Sequence, residues 1–240
     1  MQPPIDQLAA LRRHQDVFLA GIGQADPVTP VPWCGRWKVT DLVVHLARIH
    51  HWAAAQARRQ PEVPLGRGPF DLAELYARCA AELRDTLAEL DPDARAWTLL
   101  DDGKPRAEQT GTVRFWHRRQ ALETLVHAWD LRTATGRGYD PGPEDWIDCL
   151  DEVVTVMHPR QLRLGRIAPP DARVRFRPAE TERVWELTGA APQSPTVTVS
   201  GPALTLGLLA WGRTTASDPS LAVTGDPAHL AGVLASGLTP

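Results

Sequence analysis

The sequence predicts two domains, an N-terminal all-α helical bundle and a smaller C-terminal α+β domain, and three observations carry that prediction. Up to about residue 160, apolar residues recur at helical spacing in long stretches, punctuated by proline- and glycine-rich segments at 61–69 and 136–143. Beyond Gly165 the period falls to two, as in Arg173-Val174-Arg175-Phe176-Arg177 and Thr196-Val197-Thr198-Val199, the pattern of half-buried strands. Gly165 and the Pro169-Pro170 pair interrupt both periodicities, so the expected domains are 1–164 and 165–240.

Taken in order, helical patterns cover 5–24, 40–59, 70–90, 112–135 and 143–160. Thr40 is placed to cap the start of the second helix, and Gly136 the end of the fourth. Residues 91–111 form a long connection in which Asp102-Gly103 suggests a small hairpin. After Gly165 come strands around 173–177, 183–187 and 196–199, a helical run at 202–212, a short strand near 220–224 and a last helix at 226–236. No internal repeat or low-complexity tract is present.

Composition narrows the function classes. With 240 residues, 43% hydrophobic and 23% charged, the chain has the make-up of a soluble globular protein. Its net charge is −3 and its basic residues are interspersed with acidic ones, so no electrostatic footprint for nucleic acid or an anionic membrane is expected, and the partner should be a small molecule. Cys34, Cys79 and Cys149 are widely separated and form no C-x-x-C, which fits a reducing cytoplasm better than a disulfide scaffold. The N-terminal stretch lacks a basic segment followed by an apolar one, so no secretory signal is read. The longest apolar runs, such as 204–211, fall short of a membrane span.

The chemistry is concentrated in the fourth helical pattern. Glu123 and His127 are four apart and share a helix face, where a carboxylate and an imidazole make a chelating pair. An isolated Glu-x-x-x-His is an ordinary solvated pair in most chains, and the two-histidine HExxH signature is absent. Two further features favour ligation. His45 shares a helical strip with Leu42, Ile49 and Trp52, so its imidazole should point inward, where facing helices of a bundle assemble metal sites. The strip Trp116, Gln120, Glu123 and His127 also sets an indole in line with the ionisable groups, as a pocket would. Two histidines and one carboxylate leave coordination positions open, the mark of catalytic metal. Asp130, on the flank of the same strip, could accept a hydrogen bond from a ligand imidazole. His50 and His51 are expected to point away from the His45 strip and to be partly exposed, and Arg118 and Arg119 are read either as a solvated basic patch, the favoured reading, or as orienting a substrate carboxylate.

At these residues the chain resembles a known family. The segments Trp37-Lys38-Val39-Thr40-Asp41-Leu42-Val43-Val44-His45-Leu46 and Arg118-Arg119 through Glu123-Thr124-Leu125-Val126-His127 look like those of the mycothiol-dependent maleylpyruvate isomerase family. So does a tail with Leu209-Ala210-Trp211-Gly212-Arg213 and Val223-Thr224-Gly225-Asp226. The resemblance spans nearly the whole chain. It implies a DinB-like four-helix bundle followed by a domain resembling sterol carrier proteins. It also implies a divalent metal on His45, Glu123 and His127, with zinc expected and nickel, manganese or iron(II) compatible, mycothiol as thiol cosubstrate, and a catalytic arginine matched to Arg213. Many members carry a histidine just before the metal-binding glutamate, where this chain has Leu122.

The expected function is therefore a metal-dependent enzyme that uses a low-molecular-weight thiol. It would isomerise a cis-enone diacid such as maleylpyruvate, or transfer the thiol to an electrophile. Coordination to a cation would favour the nucleophilic thiolate. The alternatives are a non-catalytic small-molecule-binding protein with a vestigial or structural metal, and an oxygen-using iron enzyme built on a facial triad.

Overall fold

The computed structural model describes residues 5–240, without the side chain of Arg106; the start of the stretch read for a secretory signal lies outside them. Two compact units emerge, Met1–Tyr139 and Asp140–Pro240. The first is a bundle of four helices, α1 (Gln7–Ile22), α2 (Val39–Arg58), α3 (Leu72–Glu89) and α4 (Val113–Ala134). No helix among the described residues is long and apolar enough to cross a membrane.

Local chemistry sets the helix ends. Asp6 starts α1 by accepting from the N–H groups of Leu8 and Ala9, and Asp71 starts α3 by accepting from Glu74. The second helix departs from expectation: Lys38, not Thr40, is the cap, and the Asp41 carboxylate reaches back to the Lys38 N–H at 2.9 Å. Thr40 already lies in the first turn, where its hydroxyl donates to the Pro27 carbonyl. At the end of α4 the cap is Thr135, followed by Gly136 in the left-handed region at φ 70°. There the N–H groups of Gly136 and Arg137 return to the carbonyls of Thr133 and Arg132, a Schellman closure that glycine permits.

Two apolar clusters hold the bundle. One gathers Phe18, Leu42, Val43, Leu46, Leu75, Tyr76, Ala128 and Leu131; the other gathers Leu11, Ala53, Ala54, Leu83, Leu87, Val113, Trp116 and Ala121. They use opposite ends of α2 and α4, so the stretch of α4 from Glu123 to His127 falls between them. A polar layer also lies there. His50 is fully buried, contrary to the partly exposed position expected of it, and its Nδ1 donates to Gln120 Oε1 at 3.0 Å. Burial drives its pKa down to about 4, against the smaller opposing effect of the Gln120 hydrogen bond.

The connection 91–111 is not a hairpin. It makes two 3₁₀ turns, Leu99–Asp101 and Arg106–Glu108, and closes through an isolated bridge between Arg95 and Thr112. The buried Asp101 carboxylate replaces the missing strand ladder, accepting from the N–H groups of Gly111 and Thr110, the Thr98 hydroxyl and Lys104. Only glycine fits at 111, because a Cβ there would lie 2.2 Å from Thr98 Oγ1. Burial alone would raise the Asp101 pKa, but these hydrogen bonds outweigh it and hold the pKa below its ordinary 3.8.

In the second unit, α5 (Pro143–Glu152), a π-helical turn (Val153–Met157) and α6 (His158–Arg163) run on from one another. Sequence reasoning assigned this stretch to the bundle, with a boundary at 164/165. The compact units divide at Tyr139/Asp140 instead. The physical reason is its partner: the Trp146 ring of α5 packs so closely on Gly207 of α7 (Ala203–Ala210) that a Cβ there would lie 2.9 Å from it. Asp151 likewise accepts from Arg183 at 2.6 Å and from the Trp185 indole at 2.8 Å.

The sheet is ordered β2-β1-β3-β4 from β1 (Arg173–Pro178), β2 (Trp185–Glu186), β3 (Thr196–Gly201) and β4 (Ala222–Thr224), and α8 (Pro227–Ala235) follows it. Strands β1 and β3 are parallel, and the two outer pairings are antiparallel. The period of two holds, with Val174, Phe176, Val197 and Val199 buried while Arg173 and Arg175 reach Glu186 on the other face.

Two stability predictions follow from these buried groups. Asp101→Asn should lower unfolding free energy by about 1–3 kcal/mol near neutral pH, because hydrogen bonds to a buried charge are lost. Since the folded pKa is depressed, the wild-type advantage is present above the unfolded carboxyl pKa and vanishes as pH falls through the folded value; denaturant melts of both proteins against pH measure this. For His50 the unfolded chain takes up a proton below its ordinary 6.5 that the folded chain refuses until about 4. Stability should therefore be complete above about 6.5 and fall by up to about 3 kcal/mol between there and 4. His50→Leu should flatten that part of the profile, and an unchanged acid limb would contradict the assignment.

Candidate metal centre

Helices α2 and α4 bring His45, Glu123 and His127 together, each offering one ligand atom within 4.8 Å of the others. His127 Nε2 is 3.3 Å from Glu123 Oε1, and His45 Nε2 is 3.6 Å from the same oxygen. The imidazole rings meet edge to face at 5.1 Å. Glu123 and His127 are nearly buried, whereas the His45 side chain is 32% exposed, so the group opens on the His45 side. His45 points inward, toward Glu123 and His127 of the facing helix, while keeping part of its ring exposed.

The contacts around these three atoms fix their roles. His127 Nδ1 is 2.9 Å from Asp130 Oδ2. An ionised carboxylate only accepts, so the Nδ1 carries a proton, and in the neutral ring Nε2 is the nitrogen left to bind a cation. That nitrogen faces Glu123 Oε1. An imidazole nitrogen and a carboxylate oxygen 3.3 Å apart, with a second imidazole beside them, make a donor set suited to a cation. Asp130 thus accepts from the His127 imidazole from its place on the flank of the strip.

Other residues arrive that the sequence did not announce. The Trp37 ring lies 4.7 Å from His45 and 6.5 Å from His127, walling the imidazoles on one side. Its signal was available, since Trp37 immediately precedes the cap of α2, but aromatic residues at helix starts are common. Cys34 donates from Sγ to Asp130 Oδ2 at 3.5 Å, joining the His127 partner to the segment that leads into α2. Arg119, which the sequence did single out, is buried and paired with Glu123 Oε2, one helical turn away.

Several sequence expectations move elsewhere. Trp116 packs in the apolar cluster with its indole N–H on the Trp97 carbonyl, so it does not line the three-residue group. His51 is held by Glu82 at 2.6 Å and by the Val63 carbonyl at 2.7 Å. His117 is buried against the Leu87 carbonyl, and burial lowers its pKa. Arg213 belongs to the second unit, just past α7, where its guanidinium donates to the Trp211 carbonyl at 2.8 Å. Leu122 is buried in the bundle, an apolar side chain beside Glu123.

Comparisons with known proteins bear on the fold and the family. Two uncharacterised proteins from two strains of Mycobacterium tuberculosis are each 28% identical over 162 residues, covering 65% of this chain and 82% of the relative. Two crystal structures share the fold: mycothiol-dependent maleylpyruvate isomerase at TM-score 0.64, and a histidine-to-alanine mutant of it at 0.65. Each is 15% identical, with 93% of both chains covered, a likeness of fold alone. Residues 8–132 match the mycothiol maleylpyruvate isomerase N-terminal domain and residues 144–232 the corresponding C-terminal domain, so the chain belongs to the mycothiol maleylpyruvate isomerase family.

Proposed function

We propose that this protein is a mycothiol-dependent isomerase of maleylpyruvate-like cis-enone diacids, working at a divalent metal held by His45, Glu123 and His127. The observation that carries the reading is the convergence of two imidazole nitrogens and one carboxylate oxygen within 4.8 Å, in a group open on one side, in a chain of this family. Zinc fits such nitrogen and oxygen donors, and so do nickel, manganese and iron(II). A divalent cation there would favour the deprotonated form of a thiol and polarise a substrate oxygen.

The chain's own residues then have separable tasks. Asp130 keeps the His127 proton on Nδ1, so that Nε2 stays a ligand atom throughout. Glu123 offsets cationic charge and does not serve as a free base. Trp37 limits water on its side of the imidazoles. Thiolate addition to the enone double bond leaves a single bond about which the carbon chain rotates, and elimination returns the thiol and the trans isomer. In this reading Arg213 binds a substrate carboxylate and stabilises the enolate formed on addition. Transfer of the same thiol to an electrophile would use the first half of the sequence.

The ligand assignment predicts that His45→Ala, Glu123→Ala and His127→Ala each lose metal and thiol-dependent turnover, while His51→Ala loses neither. Folding should survive, since both apolar clusters pack without metal, unlike a zinc finger. Elemental analysis after metal reconstitution, beside a thermal melt, tests this; a triple variant that binds metal like the parent would remove the site. For Arg213, replacement by Leu should lower kcat/KM about a hundredfold with metal content unchanged. Parental kinetics on maleylpyruvate with mycothiol would reduce Arg213 to a cation at a helix end.

A further inference from the structure

We propose that Arg119 is a positioning residue that restricts Glu123 to ligation through one oxygen, and this rests on the metal reading above. A carboxylate can bind a cation through one oxygen or two, and here its two oxygens have different surroundings. Oε1 faces the Nε2 atoms of His45 and His127 at 3.6 and 3.3 Å. Oε2 takes the guanidinium of Arg119, one turn earlier on α4, with the two side chains only 7% and 9% exposed. Sequence reasoning offered Arg119 to a substrate carboxylate; the geometry commits it to Glu123 instead.

Chelation through both oxygens would require Arg119 to leave Oε2. A guanidinium does not lose its proton, so the move would break the carboxylate pairing of a buried cation, which is strongly unfavourable. Arginine thus divides the carboxylate into a ligand oxygen and a held oxygen. The consequence is a count of positions. With one atom from each of three residues, a five-coordinate ion keeps two places, enough for a thiol sulfur and a substrate oxygen at once. Ligation through both oxygens would take one of them. The Arg119 charge also draws electron density from Glu123, leaving the ion a stronger Lewis acid.

The test is infrared difference spectroscopy on zinc loading, in which the gap between the two carboxylate stretches is wide for one-oxygen and narrow for two-oxygen ligation. It is combined with thiol titration of the visible band of the cobalt(II)-loaded protein. The unmodified protein should show the wide gap, and Arg119→Met the narrow one with metal still stoichiometric. In Arg119→Met, thiol affinity read from the cobalt band should weaken about ten- to hundredfold. A narrow gap in the unmodified protein, or a wide gap and full thiol response in Arg119→Met, overturns the proposal. Should Arg119→Met fail to fold, Arg119→Lys decides in its place: partial conversion to the narrow gap supports the role, and an unchanged spectrum overturns it. Failure of the unmodified protein to take up metal would sink the metal reading itself. Uptake that depends on His45, Glu123 and His127 but uses both carboxylate oxygens would sink only the role of Arg119.

Discussion

The meeting of His127 Nε2 and Glu123 Oε1, 3.3 Å apart near the middle of a helix bundle, is the constraint around which the first unit is arranged. The two atoms are kept in place because each is held from behind, His127 by Asp130 and Glu123 by Arg119. Asp130 is in turn contacted by Cys34, so the outer contacts extend into the loop before α2. Both principal partners come from α4 itself, one turn away from the residue that each supports. A single helix therefore carries Glu123, His127 and the two groups that orient them, and α2 presents His45.

The packing of the bundle makes that presentation dependable. Apolar clusters at both ends of α2 and α4 fix the separation and rotation of the two helices, leaving the middle for polar groups that could not be buried without partners. His50 Nδ1 pairs with Gln120 Oε1 in that layer. The energetic balance is uneven along the bundle: its ends contribute most of the apolar burial, and its middle carries the cost of desolvated polar groups. This is the usual division in a protein whose stability supports a functional site.

The C-terminal unit shows the same economy on a smaller scale. Its sheet is narrow, with two-residue β2 and three-residue β4 at the edges, and the parallel pair β1/β3 forms its centre. Asp151 gathers Arg183 and Trp185, tying the edge strand to the helix that precedes the sheet, and Trp146 against Gly207 ties the same helix to α7. Residues 143–163 are thus integral to this unit.

Sequence alone determined the identity and order of the main helices, the alternation of Val174, Phe176, Val197 and Val199, and the pairing of Glu123 with His127, because helix and strand periods put these residues on common faces whatever surrounds them. It also carried the family resemblance, through short segments around His45 and Glu123. What it left open was every question of partner. Amphipathicity shows that 143–160 has an apolar face, but not that Gly207 would receive it. Helical spacing puts Arg119 on the strip of Glu123, yet only the folded chain decides that the guanidinium turns to that carboxylate and not to a ligand. His50 looked like a flank residue because its partner Gln120 is seventy residues away. Tertiary structure alone decided these points, since burial, tautomer and charge pairing depend on which distant side chains arrive at the same place, and a linear pattern records only what is local.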